Sequence, residues 1–212
     1  MKGFSDERRA YIRQELLDEG RKLFARYGLK KTTMTDLTTP VDIAPSTFYQ
    51  FFDSKEKLYL AVLERETERF YERATTPLEE QSDPEQAIRE YLHVLFEELE
   101  TNPLIERVLA DDELEQLGHL YSEDEFLEQR TRELGYIMPY IREWQETEAI
   151  REGDPEIIAA TIDSAAILAL HKEDIGEDLY PAVRNMMIET VVTGITNAAV
   201  RSKPEPQQPH RE

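Results

Sequence analysis

Apolar residues recur along this chain at intervals of three and four. Runs of β-branched residues alternating with polar ones are absent, so the pattern predicts helices throughout. The first helix is expected over about residues 6–27, with Ile12, Leu16, Leu23, Phe24 and Tyr27 on one face and Gly28 as its C′ stop. Thr33 and Asp36 make a capping-box pattern for a short second helix that Pro40 ends. Pro45, at a first-turn position, opens a third short helix to about Phe52. Asp53 and Glu56 repeat the cap pattern for a fourth, which runs to about Ala74 and is broken by Thr75-Thr76-Pro77.

Further on, Asp83-Pro84 starts a helix that stops at Asn102-Pro103, and a shorter one follows to about Ala110. The acidic DDELEQ stretch reads as loop with a helical turn. Ser122 and Glu125 cap a long helix to about Thr147, with Pro139 as an expected kink. Asp154-Pro155 opens another to about Leu170, and a last helix covers about 180–201. Residues 202–212 are polar and Pro-rich with nothing to bury, so disorder is expected there. The fold class is therefore all-α, about nine helices, with an N-terminal three-helix helix-turn-helix domain and a larger helical domain for ligand binding and dimerisation.

Charge divides the chain unevenly. The first sixty residues hold 11 Lys+Arg against 9 Asp+Glu, while the remainder holds 14 against 36, together the net −20. A near-neutral module on a strongly acidic body suggests that the module meets a polyanion and the body does not. The excess of surface carboxylate suits a halophilic cytoplasm, where salt screens self-repulsion, and equally an ordinary acidic protein. The absence of cysteine removes disulfides, thiolate metal sites and thiol nucleophiles. No apolar run approaches membrane-spanning length and no signal peptide is evident, so a cytoplasmic protein is expected.

Residues 31–60, KTTMTDLTTPVDIAPSTFYQFFDSKEKLYL, carry the most specific signal. The spacing between Asp36 and Phe52 fits two short helices joined by a tight turn at Val41-Asp42-Ile43, the layout of a helix-turn-helix. That turn needs one residue with positive φ, and Asp42 tolerates it better than most residues other than glycine. Leu37, Ile43, Phe48 and Phe52 would form the small core, leaving Pro45, Ser46, Thr47, Tyr49 and Gln50 outward. Thr and Tyr hydroxyls suit phosphates, and Gln reads adenine bidentately in the major groove. Thr33 at the cap of the second helix joins this set. Lys55 and Lys57 begin the fourth helix, with Arg21, Lys22, Arg26, Lys30 and Lys31 as flanking cations.

At these residues the chain resembles the TetR family of one-component transcriptional regulators. The matching elements are Leu23-Phe24, Gly28, Thr32-Thr33, Asp36-Leu37, VDIAPSTFYQFF and SKEKLYLAV, spanning about residues 12–63. The resemblance implies a DNA-binding domain over 1–53, a ligand-binding and dimerisation domain over 54–201 and a tail over 202–212. It gives Thr47, Tyr49 and Lys55 phosphate-contacting roles and turns Pro45, Ser46 and Gln50 towards base edges. Two departures stand out: Asp42 replaces the turn glycine, and Ala44 replaces the usual polar cap of the recognition helix. Ala is a poor cap, costing about 1 kcal/mol.

A single helix-turn-helix reads few base pairs, so a homodimer on a pseudo-palindromic operator is expected. The last two helices are apolar around most of their circumference, and Ile158, Ile162, Ala165, Met187, Val191 and Ile195 are the candidate interface, with Gly194 permitting close approach. The middle helices carry Tyr91, Phe96, Tyr121, Phe126, Met138, Tyr136, Tyr140 and Trp144, which in the family would line an inducer pocket. His93 and Asp163 are the polar residues expected to face it. The same aromatic stripe is equally what a plain core looks like. No catalytic spacing, Gly-rich phosphate loop or metal cluster is present, so neither an enzyme nor a cofactor or metal is expected. The competing reading is a helical protein-interaction or adaptor module without sequence-specific DNA binding.

Overall fold

A computed structural model describes residues 5–110 and 123–201, and all regular elements among them are helical. The expected loop at DDELEQ, Tyr121, the Ser122 cap and the tail lie outside the described residues. No described helix is long and apolar enough to cross a membrane.

The chain forms two compact units. In its described parts the first holds residues 5–70, 100–110 and 123–127, and the second holds 71–99 and 128–201. The first unit thus takes in a segment distant in sequence, residues 100–110 and 123–127.

In the first unit, α1 (Asp6–Lys31) begins at Ser5, whose side chain accepts from the Arg8 N–H. Gly28 interrupts it at φ 74°, ψ 173°, and a last helical turn follows rather than a clean stop. That extra turn buries Leu29 and leaves Tyr27 exposed, so the expected apolar face shifts at its end. Gly20 is needed for close packing: a Cβ there would lie 3.3 Å from Phe24 and Val62 and 3.4 Å from Leu58.

Next, α2 (Met34–Thr38) has the expected capping box, with the Thr33 side chain accepting from the Asp36 N–H and the Asp36 carboxylate accepting from the Thr33 N–H. Asp42 takes φ 55° in the turn. Then come α3 (Pro45–Phe48), shorter than expected and continued by turns through Phe51, and α4 (Lys55–Ala74). The cap of α4 is Ser54, whose Oγ accepts from the Lys57 N–H, and not Asp53.

Leu37, Phe48 and Phe52 are buried with Ile12, Leu16, Phe24, Leu58 and Tyr59, while Ile43 packs half-buried at the edge. Burying a side chain of this size stabilises by roughly 1.5–3 kcal/mol. The same core takes in Leu104 and Val108 of α7 (Pro103–Ala110), which packs on α1.

The second unit contains the end of α4, α5 (Thr76–Glu80), most of α6 (Pro84–Thr101) and α8 (Glu123–Glu146) from residue 128. It continues through α9 (Pro155–Ala165), a 3₁₀ segment (Ala166–His171), α10 (Lys172–Ile175) and α11 (Tyr180–Arg201). Asp83 and Asp154 cap α6 and α9 by accepting from Glu85 and Glu156 N–H groups. The helix expected to reach Leu170 instead tightens after Ala165. There the Ala166 N–H is shared between the Asp163 and Ser164 carbonyls, the pattern of an α-helix narrowing to 3₁₀.

Candidate nucleic-acid interface and effector site

The recognition segment is built from local rules. Pro45 sits at the first helical position, where its missing N–H is harmless, and Ala44 supplies extended backbone but no side-chain bond at the cap. Phe48 is fully buried and anchors the segment against Phe52, their ring centroids 5.9 Å apart. With that face inward, Pro45, Ser46, Tyr49 and Gln50 are exposed and Thr47 is half-exposed. Tyr49 is 57% exposed, its ring set edge-on to Phe48 at 5.6 Å. An exposed aromatic hydroxyl held by a buried neighbour is well suited to a phosphate. Thr33 is also exposed, but its hydroxyl donates to Asp36 at 2.6 Å, so it serves the cap of α2. That bond and the Thr33 N–H hold the Asp36 carboxyl below its ordinary range.

Lys55 departs from the expected phosphate role. Its ammonium donates to the main-chain carbonyls of Leu29 at 2.6 Å and Thr32 at 2.8 Å. The lysine thereby ties the end of α1 to the start of α4. Its place at the start of α4 was legible in the sequence, but its partners were not. Lys57 lies 3.7 Å from Glu125, and the flanking cations Arg21 and Lys22 are paired with Glu66 and Glu19. Sequence reasoning missed Arg9, which donates from Nη2 to the Gln50 carbonyl at 3.0 Å.

In the second unit, Tyr91 is fully buried and its hydroxyl donates to Asp163 Oδ1 at 2.7 Å. Tyr71, a residue not expected here, also bonds Asp163 and lies flat on Tyr136, ring centroids 4.9 Å apart and planes 2° from parallel. Burial raises the Asp163 carboxyl to about 6, with Glu133 adding to the rise and the two tyrosines opposing it. Burial likewise raises Glu133, opposed by a bond from Gln129, and raises the hydroxyls of Tyr71 and Tyr91. Asp163 is thus held by two tyrosine hydroxyls inside the second unit. Phe96 and Trp144 are buried, and Tyr140 is half-buried with its hydroxyl donating to Glu79 at 3.1 Å. His93 is a correction: it is exposed, because the buried stripe of α6 runs through Tyr91, Leu92, Leu95 and Phe96. The side chain of Phe126 lies outside the described residues. Among those residues no group of His and carboxylates could hold a metal.

The interface candidates divide by burial in the protomer. Ile158, Ile162, Ala165 and Ile195 are buried inside the protomer, and Met187 and Val191 are half-buried. The large apolar groups left on the surface of this region are Ile157, Ile167, Leu170, Leu179 and Met186, at 66%, 49%, 38%, 57% and 71% exposure. One residue along a helix turns the side chain by about 100°, and both faces of α9 are apolar, so pattern alone could not phase it.

A buried two-helix core presenting a short recognition segment defines a helix-turn-helix module. Residues 16–62 match the model for bacterial regulatory proteins of the tetR family. A curated relative, the HTH-type transcriptional repressor NicS of Pseudomonas putida, is 26% identical over 133 residues. The match spans 63% of this chain and 63% of that protein. Among solved structures, a TetR-family transcriptional regulator from Pectobacterium atrosepticum is similar at 24% identity and TM-score 0.67, covering 90% of this chain and 93% of that one. The structure of RolR in complex with resorcinol is similar at 17% identity and TM-score 0.64, covering 96% and 99%. At these identities the likeness to the solved structures is one of fold.

Proposed function

We propose that this protein is a ligand-responsive transcriptional repressor that binds a pseudo-palindromic operator as a homodimer and releases it when a small apolar or aromatic effector binds. The observation that carries the reading is the outward set Pro45, Ser46, Thr47, Tyr49 and Gln50, held on a fully buried Phe48. Tyr49 and Gln50 are exposed and Thr47 half-exposed in one short segment, and phosphate and base contacts use all three residue types. The adaptor reading offers no reason for this face.

The effector reading is supported by the convergence of Tyr71, Tyr91, Tyr136 and Asp163, an apolar and aromatic surround with a few polar groups. The name of RolR's ligand, a phenol, agrees with that chemistry. Tyr71 belongs to α4, the helix that also carries the Lys55 clamp, so a ligand that displaces Tyr71 acts on α4 directly. Release then requires the ligand to bind the non-DNA conformation better, since equal affinity for both shifts nothing. A regulator of this kind works where the chromosome is, in the cytoplasm.

The test is a gel-shift at low salt against genomic fragments, including the chain's own upstream region, with native protein and Tyr49→Ala. Specific retention that disappears in the variant supports the reading. Identical weak binding by both proteins would sink it. Resorcinol then serves as a first effector probe.

A further inference from the structure

The segment from Pro45 to Phe52 contains no basic residue. Yet neutralisation of phosphates by Lys and Arg supplies essentially all non-specific affinity for DNA and much of the specific part. Six cations of the first unit are already engaged. Arg21 pairs with Glu66 at 2.6 Å, Lys22 with Glu19 at 2.7 Å, Arg65 with Asp18 at 2.8 Å and Arg69 with Glu66 at 3.5 Å. Lys57 faces Glu125, and Lys55 is turned onto two carbonyls.

Arg9 and Arg13 differ from these. They stand one turn apart on α1, both are exposed, and among the described residues neither is ion-paired with a carboxylate. Their guanidinium groups reach the end of the recognition segment. Arg9 donates to the Gln50 carbonyl at 3.0 Å and lies 5.3 Å from the centre of the Phe51 ring. Arg13 lies 4.9 Å from the centre of the Phe52 ring. Asp6, at i−3 from Arg9, is the acidic neighbour on the same helix and remains exposed. Lys30 and Lys31 are exposed as well but sit at the far end of α1.

A guanidinium has five N–H donors, so Arg9 keeps donors for a phosphate after serving Gln50. Resting on an aromatic face also limits the rotamer freedom given up on binding. We infer that Arg9 and Arg13 form a phosphate-contacting patch on α1 that flanks the recognition segment and supplies the charge it lacks. The inference rests on the DNA-binding reading and adds to it a second binding surface, whose occupant is the sugar-phosphate backbone beside the groove that the segment enters.

The test measures binding of the full chain to a labelled mixed-sequence duplex by fluorescence anisotropy across a KCl series. Arg9→Gln, Arg13→Gln, their double variant and the charge-keeping Arg9→Lys/Arg13→Lys pair are compared with native protein, and Arg142→Gln serves as a remote control. Thermal melting checks each fold. The slope of log K against log salt is expected to become shallower by about 0.9 for each phosphate left unneutralised and to be restored in the lysine pair. If the double variant fails to fold, the single variants read the same slope one arginine at a time. Weaker binding with an unchanged slope overturns the inference and leaves the arginines as positioning residues for Gln50. Absence of binding by native protein at every salt concentration would instead overturn the DNA-binding reading itself.

Discussion

The hydroxyl of Tyr91 donates to Asp163 Oδ1 at 2.7 Å, joining α6 to α9 through a carboxyl that burial raises to about 6. An unfolded Asp titrates near 3.9, so between about pH 4 and 6 the folded protein binds more protons than the unfolded one. Stability therefore falls as pH rises through that window, and the buried charge is a net cost above it. Asp163→Asn keeps an acceptor for Tyr91 and is expected to raise stability at pH 7.5 by about 3 kcal/mol, the equivalent of a two-unit shift. Urea unfolding at pH 4.5 and 7.5 checks this. The variant's gain at pH 7.5 is expected to shrink at pH 4.5, and a gain equal at both would show the cause lies elsewhere.

The cap of the recognition segment is improvable. Ala44 already has the extended backbone of a cap, φ −71° and ψ 148°, and lacks only a side-chain acceptor. Ala44→Ser is expected to stabilise the protein by about 0.5–1 kcal/mol, measured as a rise in the urea midpoint with unchanged m-value.

Lys55 acts inside the first unit. Lys55→Met leaves the carbonyls of Leu29 and Thr32 without their charged donor and is expected to destabilise by about 1.5–3 kcal/mol. Because the lysine is a clamp, the salt dependence of DNA binding is expected to match native protein at temperatures where both are folded. A slope shallower by about one would return Lys55 to the phosphate-contacting set.

Association is expected to use Ile157 and Met186, which protrude from two helices that pack on each other. Ile157→Glu with Met186→Glu should shift sedimentation from dimer to monomer while leaving the helical circular dichroism signal intact. The parallel change Ile162→Glu, at a fully buried position, is expected to unfold the protomer instead.

The features of the DNA-binding module that proved legible in the sequence are those governed by bonds spanning one turn. The Thr33–Asp36 capping box, the positive φ of Asp42, the uncapped Ala44 and the inward Phe48 each depend on residues within four positions of one another. Where several neighbours compete, the local pattern was less decisive: Ser54 rather than Asp53 caps α4, and the turn after Gly28 buries Leu29 instead of Tyr27.

By itself the sequence determined the helical class and the position of the helix-turn-helix, because hydrophobic period, caps and turn residues act through short-range geometry. The tertiary structure decided which apolar face of α9 is core and which is surface, turning Ile158 in and Ile157 out. It also brought α7 onto α1, directed the Lys55 ammonium to two carbonyls, set Arg9 against Gln50 and gathered Tyr71, Tyr91 and Tyr136 around Asp163. Each of those outcomes joins residues far apart in the chain, and only the packing of whole helices chooses among the pairings that local propensity leaves equally open.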